Sequence, residues 1–314
     1  MMEAVMISDS SDVLGRFVRY LRIAIVAVVA LAAAPMAAWA AGRSFDSPEA
    51  AMNAFGDAVA TSDDEALEAV IGADFRKLIP PLGNDMRLQF LAAWAKGREV
   101  VPDGEGRARV AVGKAGWTLP IPLVKDTQGW RFDVKAGIEE IRVRAIGRNE
   151  HAAINVALAL FDAQREYAEQ DRDGDGVREY AARLLSSPGK RDGLYWPTKA
   201  GQAPSPIGPL IGEAQAAGAR VGSGYHGYRY RVLTGQGPNA AGGAYDYKVK
   251  GNLVGGFGIV AWPVTYGETG VMTFIVNHDG VVYESNLGAR TAAAASAMKL
   301  FDPGPSWTKV QVAH

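Results

Sequence analysis

The stretch NEHAAINVALALFDAQREYAEQDRDGDGVREYAARLLSSPGKRDGLYWP, from Asn149 to Pro197, decides how this chain is read. In its opening half Ile154, Leu158 and Phe161 fall at helical spacing, with Arg165 and Glu169 on the solvated face and Tyr167 between the two. A helix with a core role is expected, followed by an acidic loop, a second short helix beginning near Val177, and an aromatic exit. Tyr195 and Trp196 at that exit are large enough to be expected against the central helix.

The loop Asp171-Arg172-Asp173-Gly174-Asp175-Gly176 carries the sharpest chemical signal. Alternating aspartates bring carboxylates to one side of a tight turn, and Gly176 sits where a calcium loop needs a sharp bend. Asp171, Asp173, Asp175, the Val177 carbonyl and Glu179 are the candidate ligands of a structural Ca2+. The twelfth position of an EF-hand would hold a bidentate glutamate, and here it is Ala182. The competing reading is a solvated turn whose aspartates cap the helix near Val177.

On the N-terminal side, Ser47-Pro48 opens a helix with Met52, Phe55 and Val59 on one face. A second is expected over Asp64–Ile71 and a third over Asp85–Lys96, with Met86, Phe90 and Trp94 at helical spacing. The period then changes to two for Arg107–Val112, Trp117–Val124 and Gly129–Val134, with Pro120 and Pro122 placing the middle segment at a sheet edge. Gly137–Gly147 is read as helical, leading into the central helix, and His151 as a helix-start residue.

On the C-terminal side, a Gly/Pro-rich segment encloses a short helix over Pro209–Ala217. Strands are expected at Tyr228–Leu233, Tyr245–Val249, Gly258–Pro263, Val271–Val276 and Val281–Glu284, the last two joined by the turn Asn277-His278-Asp279-Gly280. Thr291–Leu300 supplies a closing helix.

The fold class is therefore α+β. An N-terminal domain over 41–135 sets helices on a small antiparallel sheet, in outline a cystatin-like or nuclear-transport-factor-like cone. A second domain over 136–314 packs the central helix on an antiparallel sheet. Lys plus Arg number 33 and Asp plus Glu 34, a balance that gives no basic footprint for nucleic acid. The chain has no cysteine, which excludes disulfides, thiolate metal sites and cysteine nucleophiles.

Arg16, Arg19 and Arg22 beside the apolar run Leu21–Ala34, followed by Ala38-Trp39-Ala40, read as a secretory signal over 1–40. The mature chain is expected to begin at Ala41, in the periplasm or cell envelope, with no membrane span after cleavage.

The glycine pattern Gly222-Ser223-Gly224-Tyr225-His226-Gly227 opens a strand, so it lacks the strand–turn–helix context of a dinucleotide site. His226 with Ser223, and Asp192 as an acid, form the alternative reading of a hydrolase-like cleft. A third reading is a small-ligand module in the N-terminal cone.

Several blocks carry a resemblance: Gly147-Arg148-Asn149-Glu150, Ala163-Gln164-Arg165-Glu166-Tyr167-Ala168, DRDGDG, GKRDGLYWP, Ser205-Pro206-Ile207-Gly208-Pro209-Leu210, Tyr225-His226-Gly227-Tyr228, Gly258–Pro263 and Gly270–Phe274. With these the chain resembles a family of bacterial exported proteins of unassigned function, which supplies no catalytic residues. The C-terminal half, from Asn149-Glu150 through Trp262-Pro263 to Asp279–Tyr283, is also similar to the globular heads of type IV pilin-like and pseudopilin proteins. That resemblance implies a helix on an antiparallel sheet and, in some pseudopilins, calcium in an acidic loop. An ordinary signal in place of the prepilin helix departs from it. The combined expectation is a non-catalytic envelope or periplasmic protein that meets other envelope proteins.

Overall fold

In the computed structural model of the chain, residues 42–81, 83–199, 201–216 and 224–311 are described. The signal segment expected over 1–40, the start at Ala41 and the candidate Ser223 lie outside the described residues. The architecture is α+β, and the chain divides into two compact units between Ile141 and Arg142.

In the first unit, α1 (Pro48–Thr61) begins at Ser47, whose Oγ accepts the Ala50 N–H at 3.1 Å. Asp63 caps α2 (Asp64–Ile71) by accepting the N–H groups of Glu65 and Ala66. A single turn, α3 (Phe75–Leu78), follows where none is expected from the sequence, and then α4 (Asn84–Lys96). Met86, at helical spacing with Phe90 and Trp94, is 57% exposed; of the three only Trp94 is fully buried.

Five strands come next: β1 (Arg98–Pro102), β2 (Arg107–Val112), β3 (Trp117–Thr118), β4 (Leu123–Asp126) and β5 (Gly129–Phe132). Their sheet runs β1-β2-β4-β5, with β3 also on β2. The segment Trp117–Val124 is expected as one strand, but Pro120 and Pro122 fall between β3 and β4, where no ladder N–H is needed. Met52, Phe55, Trp94, Val110, Leu123 and Phe132 build the core. A Cβ at Gly56 would stand 2.6 Å from the Trp94 ring, so α1 can lie on that ring because residue 56 has no side chain.

The helix α5 (Val134–Ala168) starts in the first unit and continues into the second as 35 uninterrupted residues. His151 is therefore an exposed mid-helix residue and not a helix start. The second unit then has α6 (Gly208–Ala216), β6 (Tyr228–Leu233), β7 (Gly235–Gln236), β8 (Tyr245–Asp246), β9 (Lys248–Val249) and β10 (Asn252–Leu253). After these come β11 (Gly258–Pro263), β12 (Thr273–Asn277), β13 (Val282–Ser285), α7 (Thr291–Ala297), β14 (Leu300–Phe301) and β15 (Thr308–Lys309).

The main sheet of this unit is antiparallel, in the order β15-β13-β12-β11-β6. Its hairpin β12–β13 turns at Asn277–Gly280, where Gly280 donates to the Asn277 carbonyl at 2.9 Å. One face, with Ile259, Ala261, Phe274 and Val276, packs on α5. The other, with Val260, Trp262 and Ile275, packs on Ala295 and Phe301. Because both faces are covered, β11 and β12 are buried at every position, with apolar runs over Gly258–Pro263 and Phe274–Val276.

The line of α5 that enters this core is Ala153, Val156, Ala157, Leu160, Ala163 and Tyr167. Ile154, Leu158 and Phe161, expected as the stripe, flank it and are only partly buried. No helix begins at Val177; residues 177–183 run as irregular chain with a single bridge at Tyr180. Among the described residues no helix is long and apolar enough to cross a membrane.

Candidate metal site

The acidic loop leaves α5 through a closed helix end. Arg172 folds back and donates to the carbonyls of Glu166 (3.1 Å) and Tyr167 (3.4 Å), where a cation meets the negative end of the helix. Asp171 then accepts the N–H groups of Gly174 (2.7 Å) and Gly176 (2.9 Å). Asp175 accepts the Val177 N–H at 2.8 Å and the side-chain amide of Asn252. With no helix beyond it, the loop is not a helix cap: its aspartates hold the turn's own N–H groups.

One carboxylate oxygen from each of Asp171, Asp173 and Asp175 lies within 4.8 Å of the other two, and all three residues are exposed. Oxygens so spaced can share a hard cation whose ligand distances are about 2.3–2.6 Å. Glu179 stands beside this group with a different partner, accepting the N–H of Leu253 at 2.6 Å. Burial, opposed by that N–H, pushes its acid above the ordinary glutamate range, and the charges of Asp173, Asp175 and Asp171 push the same way. Asp171 is held below the aspartate range by the Gly176 and Gly174 N–H groups.

The exit from the loop is fixed twice. The Tyr180 N–H donates to the Leu253 carbonyl at 2.9 Å, pairing this segment with β10. One residue further, the fully buried Gln164 amide accepts the Ala181 N–H and donates to the Ala181 carbonyl, both at 2.8 Å. The aromatic exit closes on the same helix: Tyr167 donates to the Arg191 carbonyl at 2.6 Å and its ring lies 6.4 Å from that of Trp196. The loop is thus a built feature, held between α5 and the β9–β10 hairpin.

Residues 42–310 match the model of a family described as a protein of unknown function, DUF2950. The chain belongs to the DUF2950 family. The matched range takes in both units and the acidic loop. No curated protein and no solved structure matches the chain.

In this DUF2950 chain the residues considered for catalysis have separate surroundings. Tyr225 and Tyr228 exchange N–H···O bonds of 2.7 and 3.0 Å around a turn in which His226 (φ 50°) and Gly227 (φ 74°) both have positive φ. The exposed imidazole lies tilted against the Tyr225 ring, 4.0 Å between centroids and 46° between planes. Asp192 accepts the N–H and hydroxyl of Ser187 at 2.7 and 2.8 Å and lies 3.7 Å from Arg183. Burial pushes its acid up, but the Ser187 hydrogen bonds and Arg183 outweigh it and leave it below the ordinary range. His226 and Asp192 share no hydrogen bond or ion pair.

Two positioning residues carry no sequence signal as site residues. The signal that could have found Gln164 is an amide at helical spacing from both Leu160 and Tyr167 on the apolar side of α5. Glu150, on the same helix, accepts the N–H groups of Val271 (2.9 Å) and Met272 (3.0 Å).

Proposed function

We propose that this protein is an exported, non-catalytic module of the periplasm or cell envelope that presents a surface to other envelope proteins, with a calcium ion bracing the loop from Asp171 to Glu179. The observation carrying the ion is the convergence of Asp171, Asp173 and Asp175 in a loop tied down on both sides. Three like charges this close repel one another, and a divalent cation would offset the repulsion; the hydrogen bond from Asn252 to Asp175 already ties the loop to β10. The site is all oxygen, which suits a structural role. Export rests on the charged and apolar pattern of residues 1–40. The pilin-like reading of the second unit rests on α5 against the antiparallel sheet.

Thermal unfolding of the mature chain, with calcium and with chelator, tests the ion. At 100 times its dissociation constant a ligand of the folded state adds about 2.7 kcal/mol, a shift of several degrees for a chain of this size. Calcium is expected to raise the midpoint for wild type and not for Asp173→Ala; four coincident curves would remove the ion from this reading. N-terminal sequencing of the protein recovered from a bacterial periplasm is expected to start at Ala41.

A further inference from the structure

The second unit contains a cavity of about 650 Å³ bounded by α5, α6, β6 and the segment 182–185. That volume lies in the roughly 300–1,000 Å³ class of small-molecule sites. Its wall is mostly apolar, with Val156 and Leu160 from α5, Ile207 and Ile211 from α6 and its approach, and Val232 and Tyr230 from β6. β6 is the last strand in its sheet, and the lining reaches round its edge: Tyr230 and Val232 stand on the face toward α5, whereas Arg229 and Arg231, paired with Trp262 and Val260, stand on the other face.

Among the described residues the charged side chains of the lining have one sign. Arg183, Arg229 and Arg231 contribute to it, and no aspartate or glutamate does among the described residues. Two of the three guanidinium groups are occupied: Arg231 donates to the carbonyls of Ala295 and Met298, and Arg183 holds Ser187 and Asp192. The Arg229 side chain is exposed and makes no hydrogen bond or ion pair with the described residues.

We propose that this cavity binds a free amphiphilic acid, its apolar body against Leu160, Ile211 and Tyr230 and its single anionic group at Arg229. Apolar burial supplies the affinity, and an arginine fork suits a carboxylate. The site is separate from the acidic loop and does not depend on an ion there.

The test is a calorimetric titration of the mature chain with dodecanoate, dodecanol and dodecylammonium, each below its micelle concentration, repeated for Ile211→Trp and Arg229→Glu. Saturable binding of dodecanoate to wild type is expected, with dodecylammonium the weakest. Ile211→Trp puts an indole into the part of the cavity where the apolar body would lie and is expected to weaken binding while circular dichroism stays unchanged. Arg229→Glu, a substitution at an exposed side chain, is expected to weaken dodecanoate about tenfold and leave dodecanol unaltered.

The proposal is overturned if wild type shows no saturable dodecanoate binding, if a folded Ile211→Trp binds as wild type does, or if Arg229→Glu leaves the order of the three amphiphiles unchanged. Should Ile211→Trp fail to fold, the Arg229→Glu comparison decides alone. Co-sedimentation with phosphatidylglycerol vesicles without dodecanoate binding would assign the surface to a membrane and also overturn it.

Discussion

At the scale of single residues, the two that matter most for the loop act in opposite senses. Gln164 holds both backbone groups of Ala181 inside the core. Gln164→Leu keeps the size and leaves both groups unpaired, with an expected loss of about 2–4 kcal/mol, read from denaturant midpoints. Glu179 carries a penalty. Its folded acid is weaker than that of the unfolded chain, so the folded state holds more proton and stability from this group falls as pH rises through the raised value. Asp171 has the reverse sign: its contribution is present above the ordinary aspartate range and is lost as pH falls through its depressed value. In chelator, Glu179→Gln is therefore expected to raise the melting temperature at about pH 7 and to do less at about pH 4, below the ordinary glutamate range. Equal shifts at both pH values would contradict this. The aspartates were legible in the sequence because spacing alone brings them together. The partner of Glu179 was not, since Leu253 is far along the chain and is met through its backbone, which leaves no trace in side-chain pattern.

Among the elements, α5 shows where pattern reading works and where it slips. The helix is legible from Asn149 onward, and Gly137–Gly147 extends it as expected. The buried line is displaced because alanine counts weakly in any apolar pattern, yet Ala153, Ala157 and Ala163 are what let the helix lie close to the sheet. Gly147 sits in the helix interior, exposed, with no atom near the place a Cβ would take. Gly147→Ala is expected to stabilise by about 0.5–1 kcal/mol, seen as a higher melting midpoint. The strands of the main sheet were the easiest elements to read, from β-branched runs and the Asp279-Gly280 turn. A helix after the acidic loop was misplaced because Arg178-Glu179-Tyr180-Ala181 has helical propensity, whereas in the fold the backbone groups of Tyr180 and Ala181 go to Leu253 and Gln164 and the Glu179 carboxylate to the Leu253 N–H.

For the whole molecule, the cores decide how it melts. One core gathers residues from Phe45 to Phe132, and the other two, beginning at Ala153 and at Leu233, share no residue with it. Scanning calorimetry is expected to resolve two transitions. Gly56→Ala, which forces a methyl against Trp94, should cost about 1–3 kcal/mol and lower one of them. Gln164→Leu should lower the other. A single transition moved by both variants would show that the units melt as one.

The Gln164–Ala181 pair also bears on the order of events during folding. It joins residues only 17 apart, and the entropic cost of closing a chain grows with the logarithm of its length. Once α5 has formed, this closure is short-range, whereas β6 must find β11 across the intervening β7–β10. The acidic turn can therefore be drawn up against the helix while the sheet is still assembling, so that the folding chain meets its solvent ions with the three aspartates already together.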